Sequence, residues 1–111
     1  MKIDNTKAQM RKGVLELCIL ASISKERKYA IEIINHLKSV KLIVVEGTLY
    51  PLLARLKSAG LLSYEWEESS SGPPRKYYRI SDDGMLFLEE LNTTWNELHN
   101  SVISLTQIQQ A

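Results

Sequence analysis

Leu88, Leu91, Trp95, Leu98, Val102 and Leu105 are spaced 3, 4, 3, 4 and 3 residues apart. That is a heptad seam carried through more than two heptads. A helix over residues 82–107 would rise ~1.5 Å per residue and reach about 39 Å. A domain of ~100 residues has a radius of gyration of only ~13 Å, so such a helix overhangs its own domain. The seam predicts a partner helix, most simply a second copy of the chain. Ser81 is placed to cap this helix, and Asp82 and Asp83 suit its positive end. The architecture is thereby constrained to a small domain over residues 7–80, followed by a dimerisation helix over 81–108.

The remaining residues must then supply one modest core. The 111 residues are 44% hydrophobic and 24% charged, as expected of a single globular domain. No run approaches ~18 uninterrupted apolar residues, and Met1–Lys7 lacks the apolar stretch of a secretion signal. A cytoplasmic protein with no membrane association is expected. The single cysteine, Cys18, lies in an apolar run and reads as a buried, inert thiol. The net charge is only +1, but its distribution is uneven. Residues 1–60 carry eleven Lys/Arg against five Asp/Glu, and residues 61–111 carry three against eight. The three basic residues of the second half, Arg75, Lys76 and Arg79, are clustered. A basic surface able to meet phosphates is compatible with this pattern, as is scattered solvated charge.

From about Lys7 to Ile23 the chain reads as one helix, apolar round most of its second half, with residues 1–6 frayed. A second helix is expected from about Tyr29 to Ser39, with His36 on its outer side. Leu42–Val45 is a small strand or an extended lead into the next helix. Glu46–Ser58 reads as a helix with two unlike faces. Leu49, Leu52, Leu53 and Leu56 form a core stripe. Thr48, Tyr50, Pro51, Ala54, Arg55 and Ser58 face away from it. The start falls between 45 and 48, with Thr48 a possible N-cap, and Gly60 ends the helix. Leu61–Glu67 and Lys76–Ile80 have strand character, and the Ser/Gly/Pro-rich stretch 68–75 reads as a long hairpin tip.

The expected fold class is mainly α with a small β-hairpin: a winged helix-turn-helix plus a long C-terminal dimerisation helix. In that geometry the helix from Glu46 enters the major groove of DNA. Tyr50 can reach a phosphate or sugar, Arg55 a phosphate or guanine, and Thr48 with its neighbouring amides a phosphate oxygen. Arg75 and Lys76 at the hairpin tip can lie along the flanking groove. Glu65, Glu67 and Glu68 on the other arm oppose this unless they pair or point away. A protein-binding winged helix without sequence-specific DNA binding is the competing reading. Trp95 is either a packing residue of the seam or the wall of a slot for a planar ligand. Enzymatic chemistry is not indicated. His36 and His99 are isolated, no metal-ligand spacing or phosphate-binding loop occurs, and no cofactor or metal is expected.

Gly13–Leu20, Tyr29–Ile34, Glu46-Gly47-Thr48-Leu49-Tyr50-Pro51-Leu52-Leu53, Glu65-Trp66-Glu67 and Gly72-Pro73-Pro74-Arg75-Lys76-Tyr77-Tyr78 closely resemble PadR-family transcriptional regulators. The single C-terminal helix is similar to the short subclass, which includes multidrug-sensing repressors. The resemblance implies a homodimeric repressor of double-stranded DNA at a palindromic operator. By position it assigns DNA contact to Tyr29, Thr48, Tyr50, Pro51, Arg55, Arg75 and Lys76. It also implies a planar hydrophobic effector at the dimer centre, met by Trp95 with Met10, Val14 and His99. Two positions depart from the family pattern. Val45 stands where many members have a serine cap, and Ala30 where a glycine is usual.

Overall fold

A computed structural model describes residues 1–107; residue 108, the expected end of the dimerisation helix, lies outside them. The elements in chain order are α1 (Ile3–Lys12), α2 (Leu15–Ser22), β1 (Lys28–Tyr29), α3 (Ala30–Ser39), α4 (Glu46–Ser58), β2 (Leu62–Ser69), β3 (Gly72–Ile80) and α5 (Asp82–Gln107). The architecture is the expected mainly helical one with a long last helix.

The first expected helix is in fact two. Helix α1 begins at Ile3, within the stretch expected to fray, and ends at Lys12; α2 restarts at Leu15. Val14, at φ −114° and ψ 1°, leaves helical geometry between them. The bend lets α2 bury Leu15, Ile19 and Leu20 while α1 buries no residue at all. Apolar residues fill 14–23 apart from Glu16 and Ser22, and this hid the break, because periodicity carries little information where most faces are apolar.

The core is formed by Leu15, Ile19, Leu20 and Ile23 from α2 and its end, Ile33 and Leu37 from α3, and Leu49, Leu53 and Leu56 from α4. Val44, Leu61, Leu62 and Tyr78 close it. Leu49, Leu53 and Leu56 are each at most 1% exposed. Burying each contributes roughly 1.5–3 kcal/mol, which pins one face of α4 inward and leaves the other free.

Both α3 and α4 end in the same way. Leu61 N–H donates to Leu56 C=O and Gly60 N–H to Lys57 C=O, with Gly60 at φ +77°. This is the Schellman closure that the glycine was expected to provide. At the end of α3, Leu42 N–H bonds Leu37 C=O and Lys41 N–H bonds Lys38 C=O, with Lys41 rather than glycine in the left-handed conformation at φ 67°. Residues 42–45 are in neither helix nor strand, and Val45 is extended. Helix α4 starts at Glu46 with Val45 as N-cap, so Thr48 is not the cap. Val45 offers no side-chain acceptor. Pro51 therefore lies inside the helix, where it has no N–H to give the Gly47 carbonyl.

The expected hairpin is a three-stranded antiparallel sheet in the order β1-β3-β2. The two-residue strand β1 pairs Lys28 with Tyr78 and Tyr29 with Tyr77. No local pattern announces so short a strand, since its partner alone defines it. The tip is tighter than expected, with Ser70 and Ser71 joining strands that pair as far as Ser69 and Gly72. The register shifts between Glu67 and Ser69. Pro73 and Pro74, which lack amide donors, lie on β3 at that point.

Helix α5 is tied to the end of α4 through one backbone unit. Ser81 N–H donates to Leu61 C=O at 3.1 Å. The Ser81 hydroxyl donates to Gly60 C=O at 2.7 Å and accepts from Gly84 N–H at 2.9 Å, the N-cap bond expected of it. Gly84 is buried, and a Cβ there would fall 2.0 Å from the Leu61 carbonyl oxygen. Gly84→Ala is thus expected to destabilise the fold by about 3 kcal/mol or more. Urea unfolding checks this, and an unchanged midpoint would contradict the packing described.

Candidate nucleic-acid interface

The two faces of the sheet carry different chemistry because side chains alternate along each strand. Leu62, Tyr64 and Trp66 of β2 lie opposite Ile80, Tyr78 and Lys76 of β3, and so share a face. Ser63, Glu65 and Glu67 lie opposite Arg79, Tyr77 and Arg75 on the other. On this second face the acidic residues are answered. The Arg27 guanidinium lies 4.2 Å from the centre of the Tyr77 ring and forks to Glu65, at 2.8 Å, and to Glu67. Arg79 reaches Glu65 at 3.3 Å. Arg79 and then Arg27 hold the Glu65 carboxyl below the ordinary carboxylate range. Glu67 and Glu65 together keep the Arg27 guanidinium firmly charged. Two of the three acidic residues that opposed DNA contact are therefore engaged by arginines.

The basic residues at the other end of the sheet have different partners. Arg75 sits 4.6 Å from the centre of the Tyr29 ring, which itself meets Tyr77 edge-on at 5.4 Å. Lys76 lies 3.8 Å from the centre of the Tyr64 ring. Lys57 of α4 approaches the same ring from 5.1 Å. Aromatic faces attract a cation through their quadrupole without cancelling its charge. Among the described residues Arg75, Lys76 and Lys57 make no ion pair with a carboxylate. Their positive charge remains available to an incoming anion.

Tyr29, Tyr50, Arg75 and Lys76, four of the residues expected to meet DNA, line one groove of about 380 Å³. It runs between the start of α3, the outer face of α4 and the sheet. Ala30, Ile31, Trp66, Pro74 and Tyr78 complete its walls. Trp66 was not singled out from sequence, although the alternation along β2 places it beside Lys76. Tyr29 is also structural: it precedes α3, and its N–H donates to Glu32 Oε1 at 3.2 Å. Burial pushes the Tyr78 phenol above its usual range, so it stays neutral.

Thr48, Pro51 and Arg55 lie outside that groove, exposed on α4. Arg55 is turned back toward α2, where its guanidinium pairs with Glu16. His36 is on the surface, as expected, and its Nδ1 shares a 2.9 Å hydrogen bond with the Ser22 hydroxyl. Cys18 is half-buried, and burial raises its thiol pKa, which suits an inert residue.

A second groove, of about 330 Å³, lies where the α1–α2 bend meets α5. Val14 and Trp95 line it with Leu17, Phe87, Leu91 and Leu98. His99 does not line it but lies beside Trp95, with ring centres 5.7 Å apart. Met10 is 71% exposed and outside it. Along the seam, Leu88 and Leu91 are partly covered, while Trp95, Leu98, Val102 and Leu105 are 41%, 56%, 53% and 69% exposed.

A helix pair α3–α4, an adjoining three-stranded sheet with a basic, aromatic rim, and a long terminal helix define a winged helix-turn-helix protein of the DNA-binding class. The sequence model of the family described as "Transcriptional regulator PadR-like family" matches residues 19–90. The chain belongs to that family and is a transcriptional regulator rather than an enzyme. A PadR-like transcription factor of Bacteroides fragilis is 57% identical, with a TM-score of 0.76 over 91% of this chain and 98% of that one. A PadR-like regulator of Bacillus cereus is 43% identical, with a TM-score of 0.81 over 89% of this chain and 97% of its own. One from Eggerthella lenta is 33% identical and superposes with a TM-score of 0.85 over 95% and 92% of the two chains. No helix of the described residues is long and apolar enough to cross a membrane.

Proposed function

We propose that this regulator is a dimeric repressor that holds a palindromic operator with two copies of α4 and two of the sheet's basic tips. The observation that carries this is the groove of Tyr29, Tyr50, Arg75 and Lys76, whose cations rest on aromatic rings rather than on carboxylates. Tyr50, Thr48 and the sheet tip hold phosphates, and Pro51 lies on the outer face of α4. Arg55 joins them when released from Glu16. The second copy pairs through the seam Leu88, Leu91, Trp95, Leu98, Val102 and Leu105. Four of these six residues are exposed in the single chain, on a helix that helps give the molecule a 59 Å long axis. Repression follows from occupancy, because an operator covered by two such domains is closed to the transcription machinery. In this reading residues 7–80 are the DNA-binding unit and 81–108 the dimerisation unit.

The groove beside Trp95 supports regulation by a planar hydrophobic effector. Glu16 both lines that groove and holds Arg55 of α4. A ligand that displaces Glu16 therefore changes the freedom of a basic residue on the DNA-facing helix, which couples the two sites through one side chain.

Binding to a duplex carrying the operator should weaken steeply with salt. Three phosphate-contacting cations per subunit predict a loss on the order of 10³-fold between 50 and 200 mM salt. The double change Arg75→Ala and Lys76→Ala should lower affinity and flatten that salt slope, and Tyr50→Ala should lower affinity. A mobility-shift titration checks both; salt-independent binding, or binding unaffected by these changes, contradicts the reading. In a Trp66→Phe background, a planar aromatic such as an acridine dye should quench the remaining Trp95 fluorescence, and an unchanged spectrum would remove the effector site.

A further inference from the structure

Glu67 of β2 and Arg75 of β3 stand directly opposite one another in the sheet. The Cβ atoms of residues so opposed lie ~4.5–5.5 Å apart, and opposite charges there ordinarily pair. Both residues line one polar hollow at the tip of the sheet. Yet they do not pair with each other. The Arg75 guanidinium rests on the Tyr29 ring, 4.6 Å from its centre. Glu67 is taken by Arg27 instead.

Arg27 is the residue before β1, and β1 lies on the far side of β3 from β2. Its side chain must therefore pass over β3 to reach Glu67. It does so across the Tyr77 ring, 4.2 Å from the centre, and its planar fork meets Glu65 as well as Glu67. The two carboxylates do not depend on it equally. Glu65 has a second cation in Arg79, at 3.3 Å. Among the described residues Glu67 has no ion-pair partner besides Arg27. Without Arg27, the cation left to Glu67 is the one directly opposite, Arg75. Exposed ion pairs of this kind contribute little to stability. What they decide is which cation each carboxylate occupies.

We propose that Arg27 is a positioning residue for DNA binding: by occupying Glu67 it keeps Arg75 on the Tyr29 ring, available to a phosphate. The segment Arg27–Tyr29 then supplies both the ring that carries Arg75 and the cation that removes its competitor. Arg27 need touch no DNA to do this. The inference rests on the DNA-binding reading above and adds a residue through which Arg75 is kept free.

Full-length protein and its variants are compared in the free state and on a duplex that the native protein selects from a random library. In the free native protein the Arg75 Nε–H signal, assigned with Arg75→Lys, should carry the ring-current shift of a group over Tyr29. Arg27→Ala should abolish that shift, and adding Glu67→Gln should restore it. On the duplex, Arg27→Ala should bind on the order of tenfold more weakly. Its salt slope should be smaller by about 0.9 per subunit, the share of one phosphate contact. Arg27→Lys, which keeps a cation on Glu67, should lose less. Adding Glu67→Gln to Arg27→Ala should return affinity to within about twofold of Glu67→Gln alone. In Arg75→Ala protein, Arg27→Ala should have little further effect. A loss that Glu67→Gln does not rescue, or that persists undiminished without Arg75, makes Arg27 a direct contact or a structural support and overturns the proposal. So does an Arg75 signal that Arg27→Ala leaves unmoved. If no duplex is enriched, the DNA-binding reading fails, while the Arg75 signal still reports whether Arg27 holds Glu67 away from it.

Discussion

The peptide unit of Leu61 is held from both sides. Its N–H closes the end of α4 on the Leu56 carbonyl, and its own carbonyl accepts from Ser81 and lies against Gly84 of α5. The Ser81 hydroxyl adds a bridge between Gly60 C=O and Gly84 N–H. Helix α4 and the helix that carries the seam are therefore joined over one residue, with no room for even a methyl group between them. In a dimer built on α5, that junction sets where each copy of α4 points. The separation of two recognition helices becomes a property of the fold rather than of a flexible linker.

Charge is arranged by the same economy of contacts. A chain of net charge +1 has little long-range attraction to offer a polyanion. Its charges are partnered differently along the sheet. Glu65 and Glu67 are gathered under Arg27 and Arg79 on one face of the sheet. Arg75, Lys76 and Lys57 are left on tyrosine rings around the groove. The aromatic residues support the cations and shape the wall, so deleting a tyrosine would disturb both position and field. Arg55 is the exception among the basic residues of α4. It is tied to Glu16, which also lines the groove beside Trp95.

Much of this was legible in the residues. Local signals were reliable where an interaction is local: Gly60 ending α4, Ser81 capping α5, and the leucine stripe that orients α4. They were silent where the cause is tertiary. The break between α1 and α2 follows from what α2 must bury, and little periodicity survives in a run that is apolar round most of its faces. Strand β1 exists because β3 has a free edge at Tyr77 and Tyr78. The placement of the residues expected to meet DNA was legible only in part. Tyr29, Tyr50, Arg75 and Lys76 converge across more than forty residues of sequence, whereas Arg55 turns away to a carboxylate on α2 that sequence spacing could not nominate.

If the Leu61 junction and the α5 seam together set the reach of the protein, the operator must carry that reach as a distance. Ethylation interference on a duplex that the protein selects from a random library measures it directly, because each blocked phosphate reports one contact. Two clusters of interference related by a dyad are expected, on one face of the duplex, with centres one helical turn or an integral number of turns apart, at about 10–10.5 base pairs each. A single cluster, or two without that symmetry and phase, would contradict a paired recognition helix held by a rigid junction.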